Sequence, residues 1–221
     1  MNMPLNNPAP GAYSAALTLL PQQTKQMSAA QAAQRPNQQE KAMLLDLLRT
    51  RRSVRHYTEQ PVETEKINQI LEAARLAPSS KSKWPWQLVV VRERERLDQL
   101  AAAKPHGAAF LKHAPLAIVV CGDTAASDVW VEDCSIAAFL LHLEATDLGL
   151  ASCWVQLRLR EHDEQQSAPD YVARILHLPP HLQPLAMVAI GYPGESKAAL
   201  DPTELRKDRI SSERFGEPWR S

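Results

Sequence analysis

Glycine is scarce in this chain: there are seven in 221 residues, and none of them forms GxGxxG or GxxxxGK[ST]. Backbone phosphate cradles of the Rossmann and P-loop kinds need such glycines. A phosphate bound here must therefore be held by basic side chains. HExxH and CxxC spacings are also absent, so the common zinc sites have no support and no metal is expected. Three cysteines, Cys121, Cys134 and Cys153, are too few and too dispersed for a disulfide framework. Their apolar surroundings read as reduced, buried thiols of a cytoplasmic protein. No apolar run reaches the roughly 18 residues that suggest a membrane span. Charge of one sign is not in excess either, since 25 Lys plus Arg balance 25 Asp plus Glu. Neither nucleic acid nor an anionic membrane is an expected partner.

Acidic residues are missing altogether from residues 1–39, which are rich in Gln, Ala and Pro. Such a stretch buries too little apolar surface to offset its ordering, so a mobile N-terminal extension is expected. A helix that docks on a partner subunit as a dimer arm is the alternative. The run Tyr13 to Leu20 lacks a basic leader and makes a poor signal peptide. Residues 40–221 read as one domain.

What is present is organised around Asp128 to Leu157 (DVWVEDCSIAAFLLHLEATDLGLASCWVQL). From Cys134 to Leu148 apolar residues cover nearly every face of a helical wheel, which requires burial on several sides. Gly149 follows where a left-handed C-cap is expected, with Leu150 placed to close it. Ala151 to Leu157 then reads as a short buried strand. By itself this pattern describes a core helix, wrapped by the rest of the chain or by a second copy.

Around it lie a helix at Lys41 to Arg49, an amphipathic helix at Glu63 to Leu76 and a charged surface helix at Glu93 to Ala103. Another helix is predicted over Pro169 to Leu178, with Ser167 near its start. Strands are predicted at Gln87 to Val91, Pro115 to Cys121 and Leu185 to Ile190. Buried strands alternating with helices indicate an α/β-type sheet with helices on its faces. Two polar segments stand out. Four arginines fall within RTRRSVR, Arg49 to Arg55, around Ser53. The run is either a solvated charge patch or a set of guanidinium and hydroxyl donors suited to phosphate oxygens. The loop Ser79-Ser80-Lys81-Ser82-Lys83-Trp84-Pro85-Trp86 ends on two tryptophans, for which core or interface packing is the simpler reading. No histidine is assigned a role, and Cys153 has no base in sequence to make it a nucleophile.

Four segments in order, RRSVRHY (Arg51 to Tyr57), APSSKSKWPWQLVVV (Ala77 to Val91), the Trp130 to Trp154 run and LAMVAIGYP (Leu185 to Pro193), resemble the FMN-dependent nitroreductase family over about Leu44 to Trp219. The resemblance implies an α+β, three-layer sandwich with a central mixed sheet and a long buried central helix, in an intertwined homodimer with FMN at the subunit interface. It implies NADH or NADPH as reductant and a nitroaromatic, quinone or related small acceptor in a ping-pong mechanism, with the chemistry carried by FMN. By position, Arg51 and Ser53 would grip the FMN phosphate with Arg52 and Arg55 nearby, and Lys207 and Arg209 would form a C-terminal basic pair on it. Ser80 and Ser82 would lie along the isoalloxazine edge, and Ser152, Cys153 and Trp154 would line its other side. Ser82 stands where many members have Asn, and Trp84 where many have Gln; Trp84 would sit at the mouth of the substrate pocket. A dehalogenase-like or flavin-fragmenting relative, and a flavin-binding protein with a redox-sensing role, are the alternatives. A lid of the kind such relatives add has only Ala102 to His113 to serve as one.

Overall fold

The structure, a computed structural model, describes residues 38–219, with side chains from Leu44 onward except that of Lys207. The N-terminal extension expected over residues 1–39 therefore lies outside the described residues, apart from the first two positions of helix α1 (Gln38–Thr50).

Four apolar runs form the strands β1 (Trp86–Val91), β2 (Leu116–Asp123), β3 (Ala151–Gln156) and β4 (Leu182–Gly191). They pair antiparallel throughout, in the order β1-β2-β4-β3. The alternation of strands and helices suggests a parallel sheet, yet none forms. The β2–helix–β3 crossover leaves one strand position open, and β4 fills it antiparallel to both neighbours. The single parallel pairing among the described residues is the isolated bridge between Ser53 and Ser152, at the β3 edge. This is where the mixed character of the sheet resides.

Side chains alternate across the pleat and split the core in two. On one face Leu116, Ile118, Val120, Val188 and Ile190 pack against helices α2 (Thr64–Arg75) and α4 (Trp130–Asp147). On the other, Ala117, Val119, Met187 and Ala189 pack against α3 (Arg94–Ala101) and α5 (Ala168–Ile175). The result is an α+β sandwich of three layers. The charged helix α3 is amphipathic rather than wholly superficial, for Leu97 and Leu100 are fully buried. The Ala102 to His113 segment is equally committed: Ala103, Ala108 and Leu111 belong to the same core, so it packs on the sheet instead of hanging free as a lid.

Helix α4 keeps the predicted ending. Gly149 has φ +73°, its amide donates to the Thr146 carbonyl (3.1 Å), and the Leu150 amide reaches back to Ala145 (2.8 Å). This is the paired-bond Schellman closure that a glycine permits. Lys66 of α2 adds its ammonium to the Leu148 carbonyl at 3.0 Å, a cation at the negative end of the helix. At the other end α4 lies so close to β2 that a Cβ on Gly122 would fall 2.2 Å from the Trp130 ring. Only one stripe of α4 escapes burial: Ile136 and Phe139 are 40% and 42% exposed, and Leu140 and Leu143 beside them are half-buried.

Candidate functional site

The arginine-rich segment lies along the free edge of β3. Ser53 bridges Ser152, and the Val54 amide donates to the Ser152 carbonyl at 3.1 Å. From the other side the segment after β4 folds over it. Lys197 donates to the Ser53 carbonyl (2.6 Å) and pairs with Glu195 (3.2 Å), while Glu195 accepts from the Arg55 amide (2.8 Å). The four arginines then separate by role, Arg49 pairing back with Asp46 of α1 at 3.1 Å. Arg52 is committed to the Ala198 carbonyl. Arg55 lies over the Phe110 ring, 5.9 Å from its centroid. Arg51 makes no side-chain hydrogen bond or ion pair among the described residues, which leaves its guanidinium free to meet an anion. A cavity of about 210 Å³ opens here, lined by Arg51, Arg52, Thr146, Leu150, Glu195 and Lys197.

Strand alternation sorts the three residues predicted on β3. Ser152 and Trp154 face α4, where both meet His142. The Ser152 hydroxyl lies 2.7 Å from His142 Nδ1, and the Trp154 and His142 rings stack with centroids 6.1 Å apart. Cys153 turns to the opposite face, opposite Ala189 in the register, so only its backbone is available on the α4 side. Burial pushes its thiol pKa up, against the pull of Arg55 and Lys197, and keeps the sulfur protonated. His142 is the residue that sequence reasoning missed. Burial, with the charge of Arg51 adding to it, lowers its pKa to about 4, so the ring is neutral at physiological pH. Its one signal in sequence is a lone imidazole on an otherwise apolar helix.

The loop that carries Ser80, Ser82 and Trp84 sits elsewhere. The Ser80 amide donates to Asp133 Oδ1 at 3.0 Å, which ties the loop to the first turn of α4. His142 is nine residues further along, roughly 13 Å at the helical rise. Within one chain the serine loop and the arginine segment thus occupy different ends of α4. Lys81, Ser82 and Trp84 all have positive φ (53°, 52° and 42°), and non-glycine residues in that region are held there at a cost and cluster at functional sites. Trp84 is 58% exposed, whereas Trp86 is buried at 7%. Trp86 thus takes the core half of the packing reading, while Trp84, on a left-handed backbone, lies outside the core of the single chain. Asp133 is itself buried, and its Oδ2 has no partner among the described residues.

Of the C-terminal basic pair, only Arg209 has a described side chain, and within one chain it stands apart from the arginine segment. Arg209 lies on an exposed turn 3.7 Å from Asp208, and no hydrogen bond or ion pair among the described residues joins it to Arg51–Arg55. The side chain of Lys207 is outside the described set. Lys197 takes a place beside Ser53 that sequence reasoning did not foresee, because it follows a turn whose course is set by Gly194 and Glu195.

The donor chemistry of this region fits a phosphorylated ligand: the Arg51 guanidinium and the Lys197 ammonium line one cavity, next to the Ser53 backbone that Lys197 holds. At about 210 Å³ the cavity is smaller than the roughly 300–1,000 Å³ usual for small-molecule sites. Larger clefts, such as one of about 620 Å³ between His56, Arg94 and His113, lie apart from Arg51.

The nitroreductase family model matches residues 48–107 and 97–192. A protein of Methanothermobacter thermautotrophicus, named as an unproven NADH dehydrogenase/NAD(P)H nitroreductase, is 35% identical over 78% of this chain and 87% of its own length. The FMN reductase [NAD(P)H] of Bacillus subtilis is 26% identical over 66% of this chain and 64% of its own. Among solved structures, an FMN-dependent nitroreductase from Clostridium difficile superposes with a TM-score of 0.76 and 41% identity, over 77% of this chain and 99% of that one. The three-layer fold, the ordered motifs and these matches agree: the chain belongs to the nitroreductase family.

Proposed function

We propose that the protein is an FMN-dependent oxidoreductase that takes hydride from NADH or NADPH and reduces small nitroaromatic, quinone or related acceptors. The observation that carries this reading is the Arg51 guanidinium, without a partner among the described residues, close to Ser53 and Lys197 in a chain of this family that lacks the Rossmann and P-loop glycine motifs. When bound, FMN supplies the redox chemistry, accepting hydride and passing electrons on in a ping-pong order. The residues of this chain bind and orient. Arg51 and Ser53 hold the phosphate, and Lys197 fixes the Ser53 backbone and adds positive charge. Ser152 and Trp154 border the same end of α4, and Trp154 covers the imidazole.

The site is completed by a second copy of the chain. Two observations support a homodimer. The exposed stripe Ile136, Phe139, Leu140 and Leu143 is apolar and lies between the arginine segment and the serine loop. The two half-sites stand at different ends of α4, so two such helices packed antiparallel would bring the Ser80–Trp84 loop of one copy toward Arg51 of the other. Ser80 and Ser82 then face the ring edge, Trp84 shields the pocket mouth, and Lys207 and Arg209 close on the phosphate. The catalytic domain spans residues 40–221.

The test compares FMN with riboflavin, which lacks the phosphate. Arg51→Ala weakens FMN by roughly tenfold to a hundredfold, the worth of a charge-assisted hydrogen bond, and leaves riboflavin nearly unchanged. Anaerobic addition of NADH or NADPH bleaches the yellow wild-type protein. A protein that takes up no FMN contradicts the proposal, and one that stays yellow with both nucleotides is a flavin-binding module instead.

A further inference from the structure

His142 and Ser152 form an isolated polar pair inside an apolar layer. His142 is 4% exposed and Ser152 1%, and both lie among Leu141, Ala145, Leu150 and Ile190. Their contact, Nδ1 to Oγ at 2.7 Å, is the one side-chain hydrogen bond that either residue makes among the described residues. A buried polar pair has to be fully made, because each group loses solvent and a missing partner is costly. Here the pair also has a direction. Ser152 uses its main chain to bridge Ser53 and to accept from Val54, so whatever fixes the Ser152 side chain fixes the backbone of the arginine segment. The Trp154 ring stacked on His142 allows the imidazole little freedom to swing. Leucine would fill the same core volume, so packing alone does not call for a histidine here.

We infer that His142 is a positioning residue that acts through Ser152 to hold Ser53 and Arg51 in register for the ligand's phosphate; the inference rests on the FMN reading above. It touches neither the phosphate nor the reacting ring. The imidazole must be neutral for this role, since a second cation beside Arg51 would repel it. Burial and Arg51 together keep it so. Either tautomer makes the bond: Nδ1–H donating to Oγ, or the hydroxyl donating to a bare Nδ1.

The test is a cycle of variants on the full chain, read as dissociation constants for FMN and riboflavin, with thermal melts alongside. His142→Leu keeps the apolar volume and removes the bond; FMN affinity falls about fivefold to tenfold, as expected for one hydrogen bond, while riboflavin affinity holds within twofold. His142→Asn offers an amide atom near the Nδ1 position and restores FMN affinity to within about twofold of wild type. Ser152→Ala reproduces the His142→Leu loss, and the double variant is no weaker than either single one, the mark of residues acting as a unit. Equal losses for FMN and riboflavin, additive losses in the double variant, or no rescue by asparagine would overturn the inference. Wild-type protein that does not distinguish FMN from riboflavin overturns the cofactor reading and this inference with it. Wild-type discrimination that His142→Leu leaves intact sinks the inference alone.

Discussion

The backbone amide of Ser80 donates to Oδ1 of Asp133 across 3.0 Å, and this bond holds a loop of three left-handed, non-glycine residues against the first turn of α4. Ser79 contributes the second tether, its hydroxyl accepting from the Trp84 amide at 2.7 Å. A strained loop persists only where its surroundings over-determine it, and these two bonds are the local means.

Cutting the first tether should free the loop. Asp133→Ala leaves the Ser80 amide without its acceptor and is expected to cost about 1–3 kcal/mol, or roughly 2–12 °C in melting temperature. Trypsin should then cut faster at the exposed Lys81 and Lys83. Asp133→Asn keeps the Oδ1 acceptor and should fall between the two. An unchanged cleavage rate in Asp133→Ala would show that the loop is held by other contacts.

The proposed homodimer uses the exposed stripe of α4 as its seam. Phe139→Asp places a charge where Phe139 is now 42% exposed. It should leave the monomer folded, because the side chain is outside the core, while dissociating the dimer. Light scattering at micromolar concentration reads the mass. Flavin retention should drop in parallel, since each site would lose its partner loop.

Trp84 separates a structural role from a functional one. At 58% exposure its replacement costs the isolated chain little, so Trp84→Gln should shift the melting temperature by no more than a few degrees. If the ring shields the pocket mouth, turnover of bulky acceptors rises and flavin dissociates faster. Steady-state kinetics with a small and a bulky quinone distinguish the outcomes. A large loss of stability with unchanged kinetics would count against the assignment.

His142 predicts a pH dependence of stability. Its folded pKa, about 4, lies below the ordinary value of 6.5. Between those values the unfolded chain binds the extra proton, so stability rises with pH through that window and is lost as pH falls from about 6.5 towards 4. The stake is on the order of 3 kcal/mol. In His142→Leu the slope of melting temperature against pH over that range should flatten. An identical slope in both proteins would mean that other groups control the acid limb.

Reading the chain located the elements well where the periodic signal was strong. The all-round apolar run became α4, Gly149 became its left-handed cap, and the runs before Cys121 and Ile190 became central strands, because side-chain periodicity and backbone freedom are local properties. Strand direction was not legible in the same way. Whether the β2–α4–β3 crossover leaves a position for β4 depends on pairing between residues 30 to 74 positions apart, and local pattern carries no record of it.

The site divides along the same line. Composition alone determined that no glycine cradle holds a phosphate here, and the order of motifs marked Arg51, Ser53 and the serine loop. Tertiary structure decided which arginine is free: Arg52 and Arg55 are drawn away by the Ala198 carbonyl and the Phe110 ring, contacts made across 146 and 55 positions of sequence. It also decided that Trp84 faces outward, that Cys153 turns from α4, and that Lys197 joins Ser53. His142 was the hardest to foresee, for a histidine's role depends on what lies opposite its ring. Residue type and spacing follow from the chain; the partner that gives a polar group its role is chosen only when distant segments pack.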